Sequence, residues 1–236
     1  MKKNNKISLC LIVYNELKGC QLDIKKLPKN YFNEIIAIDG GSTDGTIKFL
    51  KKNKIKVYKQ KLPGLNNAYI LANKVCKNDY IISFFPKGNL SINDLYKFQQ
   101  YFDLGYDLVI ASRKIKNAKD EEDGKLLKPR KWGVLILAYF SFYIWSSKFQ
   151  KNKILIKDIL HGFKGWKKEA FNKLKIVDVG NCSIDIQMVI RSYKLDLPLI
   201  EFPIKEKPRS YGESHFKILP TAFKILKYLL FETFRK

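Results

Sequence analysis

The chain has 236 residues, 46% of them hydrophobic and 14% aromatic, enough to fill the core of an α/β domain and too apolar for a disordered polymer. Its 45 basic side chains against 22 acidic ones give a formal net charge of +23. That balance points to an anionic partner (nucleotide, lipid head group, membrane surface or nucleic acid), although lysine is spread so evenly that part of it is compositional. Cys10, Cys20, Cys76 and Cys182 show no paired metal-ligand spacing, and the N-terminus lacks the apolar core of a secretory signal. Reduced thiols in a cytoplasmic protein are expected.

Ile7 to Val13 is a short apolar run ending in Tyr14-Asn15-Glu16, which indicates a buried first strand with polar groups at its carboxyl end. A helix is predicted over Leu17 to Leu27, closed by Pro28. Ile35 to Asp39 forms the second strand. Gly40-Gly41 makes a tight turn, and a helix follows over Thr43 to Lys52, with Ser42 or Thr43 as its cap and Asp44 in its first turn. Ile55 to Tyr58 is a third strand, Ala68 to Val75 a helix, and Tyr80 to Phe85 a fourth, nearly continuous apolar strand. Phe85-Pro86-Lys87-Gly88-Asn89 breaks it, and Ser91 caps a helix to about Phe102. Asp107 to Ala111 is a fifth strand, ending in Ser112-Arg113.

The second half is less regular. Asn117 to Lys125 carries Asp120, Glu121, Glu122 and Asp123 and is expected to be solvated surface. Trp132 to Phe149 is apolar and aromatic, but Ser141, Ser146 and Ser147 interrupt it and Lys131 and Lys148 flank it. A buried or interfacial helix is expected there rather than a membrane span. Asp158 to Gly165 is turn-rich, Ser183 to Tyr193 helical, and Leu199 to Ile204 a strand. After a polar loop, Arg209 to His215, the tail Phe216 to Lys236 places Phe223, Leu226, Leu230 and Phe234 on one face of a basic amphipathic helix.

Strands alternating with helices imply right-handed βαβ units. The fold class is α/β, a mostly parallel Rossmann-like sheet flanked by helices, with a C-terminal amphipathic helix. One domain is expected over residues 1–215, divided near 113/114, with the helix 216–236 appended. The carboxyl ends of strands one, two and four should share a crevice, where open α/β sheets bind ligands.

Taken in order, Leu9 to Glu16, Ile38 to Thr46, Gly64 with Ala68, Gly88-Asn89 and Ile110 to Arg113 form a recurrent pattern. It continues through Asp158 with Gly162-Phe163, Glu201-Phe202-Pro203, and Arg209 with Gly212-Glu213-Ser214. Together they resemble the family 2 glycosyltransferases of the type-A fold, in particular the polyprenyl-phosphate sugar synthases of the dolichol-phosphate mannosyltransferase kind. The resemblance runs from about residue 7 to 216. It implies that Tyr14, Glu16 and Asp39, beside Ser42, hold the base and ribose of a nucleotide sugar. Lys87, Gly88, Asn89 and Arg113 then line the diphosphate end. Asp39 is chemically suited as an acceptor for a base N–H or a ribose hydroxyl; holding its own turn is the alternative.

The family usually places an Asp-x-Asp pair after the fourth strand, where it holds Mg²⁺ or Mn²⁺ on the donor diphosphate. Here that stretch reads Phe85-Pro86-Lys87-Gly88-Asn89, so the metal ligands are absent from their usual position. Three readings are open. Lys87 neutralises the diphosphate directly, as a point charge; the carboxylates of Asp120 to Asp123 fold over the site and supply metal ligands; or the chain is an inactive, scaffold-like relative. Arg113, Arg209 and Lys164 favour the first.

A lipid-phosphate acceptor needs no general base, because its oxygen is already a nucleophile. A sugar hydroxyl needs one, and Asp185 and Asp158 are the candidates. By resemblance, Arg209, Ser214 and His215 grip phosphate, with Lys164 close by. The two histidines have no acid cluster at ligand spacing, which gives no support for zinc. The synthases often carry transmembrane helices after this domain, and an amphipathic helix stands in that place here. The expected partners are therefore a nucleotide sugar, a lipid-phosphate or lipid-linked glycan acceptor and an anionic membrane surface, with the protein peripheral at the inner face of the cell membrane. Nucleic-acid binding would rest on charge alone and matches no nucleic-acid motif.

Overall fold

The computed structural model describes residues 5–124, 127–179, 183–208, 211 and 218–235. Its centre is β1 (Ile7–Val13), buried along its whole length because both faces are covered. β1 pairs in parallel with β2 (Glu34–Asp39) on one side and β4 (Tyr80–Phe84) on the other. With β3 (Lys56–Lys59), β5 (Leu108–Ser112), β6 (Lys164–Lys167) and β7 (Leu199–Pro203) they form a seven-stranded sheet of order β3-β2-β1-β4-β6-β5-β7. The chain moves outward from β1 through β2 to β3, then returns to place β4 on β1's other side. The strand order therefore reverses between β1 and β4, and a crevice opens at their carboxyl ends.

β6 is antiparallel to both β4 and β5 and was not expected from the sequence. Its residues, Lys-Gly-Trp-Lys, carry no β-branched side chain, and a strand glycine ordinarily weakens a strand. Gly165 is needed because a Cβ there would come within 2.6 Å of the Phe102 ring and 2.8 Å of Phe98. The remaining sheet partners form as the apolar runs predict.

Alternate residues of each strand feed two cores, as a two-residue period requires. Cys10, Ile12, Ile36 and Ile38 face α3 (Leu65–Val75), α7 (Lys168–Leu174), α8 (Ile184–Lys194) and α9 (Ile218–Phe234). Leu9, Leu11 and Ala37 face α1 (Leu17–Asp23), α2 (Thr46–Lys52) and α4 (Lys97–Asp103). Helix α5 (Pro129–Ser141) continues through a π-helical turn, Phe142–Ser146, into the short α6 (Ser147–Phe149), and buries Ala138 and Trp145 in the first core. No helix among the described residues is long and apolar enough to cross a membrane. Cys10, Cys20 and Cys76 are free and buried; Cys182 lies outside the described residues.

Two local expectations are corrected. Helix α2 starts at Thr46, because Gly45 at its N-cap is left-handed (φ 96°); Asp44 therefore precedes the helix. The acidic loop is not solvated: Asp120 and Glu122 are buried, with Asp120 paired to Lys114 and Asp123 to Lys131. The tail helix leaves the stripe of Phe223, Leu226, Leu230 and Phe234 exposed. It docks through Ile225, Tyr228, Leu229 and Glu232 on its opposite side.

That docking centres on Glu232, which is completely buried. Its carboxylate lies 3.0 Å from Arg191 Nη1 and 3.0 Å from Lys194 Nζ, both on α8, and 3.5 Å from Arg235. The Tyr228 hydroxyl donates to it at 3.1 Å. Removing the acid would leave a group of closely packed cations without their counter-charge. Glu232→Ala is expected to cost about 3–5 kcal/mol in urea unfolding at neutral pH; a loss below about 1 kcal/mol would contradict the anchoring role.

Candidate active site

The loops that follow β1 and β2 are latched to each other. The Asn15 N–H donates to Ser42 Oγ at 2.9 Å, and the Thr43 N–H to Asn15 Oδ1 at 2.8 Å. The Glu16 N–H donates to Thr46 Oγ1 and the Leu17 N–H to Asp44 Oδ2, each at 3.0 Å. Asp44 also accepts from the Thr46 backbone and hydroxyl, which together hold its carboxyl below the usual range despite some desolvation. Asn15 takes a left-handed conformation (φ 50°), which asparagine tolerates, to reach across. Asp39 is fully buried, and its oxygens accept the Gly41 and Ser42 N–H groups at 3.0–3.2 Å. Tyr14 is 48% exposed at the mouth of this end, beside Gly40.

The turn after β4 is held from below. The Gly88 N–H donates to Asp23 Oδ2 of α1 at 2.8 Å, and Gly88 is left-handed (φ 70°). Gly19 lets α1 approach this turn; a Cβ there would meet the Pro86 carbonyl oxygen at 1.9 Å. Lys87 is half-buried with its ammonium 5.3 Å from the centre of the Phe85 ring. Asn89 is buried and donates to Glu206 Oε1 at 2.9 Å. Tyr211 reaches the same region, its hydroxyl donating to Glu16 Oε2 at 3.3 Å; burial and Glu16 push its pKa well up.

Arg113, at the end of β5, forms the next layer. Its Nε and Nη2 donate to the two oxygens of Asp158 at 2.8 and 2.9 Å, and Nη1 donates to Glu206 Oε2 at 3.0 Å. The Arg113 backbone N–H also donates to Asp158, at 2.8 Å. Burial alone would raise the Asp158 pKa, but the guanidinium overrides it and holds the carboxyl well below the usual carboxylate range. Asp158 is therefore placed as an anchor for Arg113 rather than as a general base, since so acidic a carboxyl is a poor proton acceptor. Arg113, committed to Asp158 and Glu206, is not turned toward a diphosphate.

Lys164 and Asp185 pair inside the fold. Lys164 is completely buried, with Nζ 2.9 Å from Asp185 Oδ1. The approach is off the hydrogen-bond direction, and the same Nζ donates to the Asp185 carbonyl at 3.3 Å. Oδ1 thus has a charge partner but no aligned donor. Burial pushes the Asp185 carboxyl up, and Lys164 partly offsets it. Lys164 is accordingly corrected from a phosphate-gripping residue to the counter-ion of Asp185. Arg209, Ser214 and His215 lie outside the described residues.

Among the described residues the donor set does not fit a divalent cation. The turn after β4 contributes no carboxylate, Asp158 and Glu206 are occupied by Arg113 and Asn89, and Asp120 and Asp123 are tied to lysines. Among the described residues no three His, Cys, Asp or Glu side chains converge as metal ligands. Glu206, which helps hold the site together, is not singled out by the sequence, whereas Asn15 is placed along the crevice but given no role. Glu206 sits in an unremarkable Lys-Glu-Lys segment, whereas the strand-end position of Asn15 was a usable signal.

A parallel sheet whose order reverses beside this crevice, closed by one antiparallel strand, has the type-A glycosyltransferase architecture. The structure of glucosyl-3-phosphoglycerate synthase from Mycobacterium tuberculosis with Mn²⁺ and UDP-glucose superposes with a TM-score of 0.70, covering 98% of this chain and 80% of that one at 14% identity. The sequence profile described as "Glycosyl transferase family 2" matches residues 8–175. The chain belongs to that family and is a glycosyltransferase. Its relatives include an uncharacterized protein of Methanocaldococcus jannaschii, 26% identical over 97% of this chain and 93% of that protein. The glycosyltransferase AglJ of Haloferax volcanii is 24% identical over 87% of this chain, which spans 65% of AglJ.

His161 gives a pH test of the Arg113 layer. Its Nδ1 meets the Ala111 carbonyl, and burial, reinforced by Arg113, lowers its pKa from 6.5 to about 4. The folded state therefore binds this proton less readily than the unfolded chain. Its contribution to stability is complete above pH 6.5 and is lost as the pH falls toward 4. Urea unfolding should show about 2–3 kcal/mol more acid destabilisation between pH 7 and 4.5 in the wild type than in His161→Gln. Equal acid losses would contradict a neutral buried imidazole.

Proposed function

We propose that this glycosyltransferase moves a sugar from a nucleoside-diphosphate sugar to a membrane-associated acceptor, a lipid phosphate or a lipid-linked glycan, without a divalent cation. The observation that carries the reading is the pairing of acids in the crevice: Asp158, Glu206 and Asp185 each already face a cation of the protein, and a lysine occupies the turn after β4. Tyr14, Glu16, Asp39 and Ser42 form the nucleoside end, where the glycine turn allows close approach of the base and ribose. Lys87, Gly88 and Asn89 form the diphosphate end. Lys87 supplies positive charge to the leaving group, with Arg209, Ser214 and His215 as the further phosphate contacts.

The acceptor chemistry follows from the bases. Asp158 is held too acidic to take a proton, and Asp185 is buried against Lys164. This favours a nucleophile that is already ionised, hence a lipid phosphate over a sugar hydroxyl. A phosphate oxygen attacks the anomeric carbon. The bond from that carbon to the diphosphate oxygen breaks, and the electron pair leaves on the nucleoside diphosphate beside Lys87. Asp185, with its pKa raised, is the base in reserve if the acceptor is a hydroxyl. The excess of basic residues is consistent with work at the anionic inner face of the cell membrane, where each basic residue near the surface contributes on the order of 1 kcal/mol.

Calorimetric titration with a panel of nucleoside diphosphates tests the donor site. One member should bind equally well in EDTA and in Mn²⁺, and Lys87→Ala should weaken it about ten- to a hundredfold, as loss of a charge-assisted contact does. Binding that requires Mn²⁺, or that is indifferent to Lys87, would contradict the metal-free reading; binding by no member would favour a scaffold.

A further inference from the structure

We infer that the outward faces of α5 and α9, with the cleft between their C-terminal ends, form the surface on which the enzyme rests on an anionic bilayer. This rests on the membrane-associated acceptor proposed above and specifies which side of the molecule meets the lipid. Helix α9 is apolar on both sides: Ile225, Tyr228 and Leu229 pack into the core, while Phe223 is 72% exposed and Phe234 86% exposed on the other face, with Leu226 and Leu230 between them. A helix with one apolar face already buried has no further use for a second in a solvated protein. Nor can α9 roll to hide the stripe, because the buried Glu232 and its cations fix its rotation.

Helix α5 carries a matching stripe. Ile136 is 71% exposed and Tyr143 at its end 68%, in line with the exposed Trp132. Tryptophan and tyrosine on such a stripe suit the head-group zone of a membrane. Between the segment that continues α5 and the C-terminal end of α9 lies a cleft of about 480 Å³, to which Trp145, Phe149 and Phe234 give an apolar wall. Lys148, Arg191, Lys194 and Arg235 also line it, an excess of positive charge over the single acid Glu232. An apolar wall beside a cluster of net positive charge matches an anionic head group above an acyl chain. Charge selects the bilayer over a second copy of the chain. A second copy would bring another +23 to the contact, whereas an anionic surface neutralises the charge.

Vesicle flotation with the full chain tests the assignment, using zwitterionic vesicles with and without phosphatidylglycerol at low salt. The variants are Phe223→Glu/Leu226→Glu/Leu230→Glu on α9 and Ile136→Glu/Tyr143→Glu on α5. The control is Lys48→Glu/Lys51→Glu, which reverses charge on α2, against the opposite face of the sheet. All these side chains are exposed, so circular dichroism should report unchanged folding. Wild type should float only with the anionic vesicles, each apolar variant should lose at least about tenfold in affinity, and the control should stay within about threefold. Wild type that binds no vesicle would overturn the membrane reading and this surface with it. Binding lost equally in the control would overturn the surface while leaving a charge-driven membrane reading intact. A dimer in solution that the α9 variant converts to monomer, with no flotation, would assign the stripe to a second copy instead.

Discussion

The buried guanidinium of Arg113 is the constraint on which the site depends. It draws together the end of β5, the Asp158 segment before β6 and the Glu206 segment after β7, and through Glu206 it reaches Asn89 in the turn after β4. Each partner would be costly to bury alone; together they satisfy one another. A lysine could not replace this arginine, because the planar fork meets both oxygens of Asp158 and still reaches Glu206. The same charge keeps Asp158 ionised and helps hold His161 neutral.

This layer explains why the crevice is poor in available carboxylates although the chain is not poor in acids near it. Asp158, Glu206 and Asp185 are each matched to a cation inside the protein. In an Asp-x-Asp site the acids face outward and a divalent ion carries the positive charge. Here the acids face inward against Arg113 and Lys164, and Lys87 is the basic side chain of the turn after β4. On the metal-free reading proposed above, the chain itself supplies a charge of the same sign.

Much of the fold was legible because the parallel strands bury both faces. β1, β2, β4 and β5 appear as continuous apolar runs, and their order places the crevice. β6 was illegible because its identity lies in tertiary contacts: Gly165 is dictated by Phe98 and Phe102, and Lys164 by a carboxylate twenty-one positions away. The sequence offers Asp158, Arg113 and Lys164 as candidate site residues, but it cannot show that Asp158 is matched to Arg113 and Asp185 to Lys164 inside the fold. Helical periodicity found the stripe of Phe223, Leu226, Leu230 and Phe234, yet not its direction, which Glu232 decides from the opposite face.

The inward acids, the lysine after β4 and the apolar outer surface support the proposed chemistry, an ionised lipid acceptor glycosylated without a metal. The most direct measurement is sugar transfer to a short-chain polyprenyl phosphate in anionic vesicles, followed with a panel of nucleotide sugars in EDTA and again in excess Mn²⁺. One donor should yield sugar-phosphate-lipid at the same rate in both. Product that forms only when Mn²⁺ is present, or in neither condition with any donor, would contradict it.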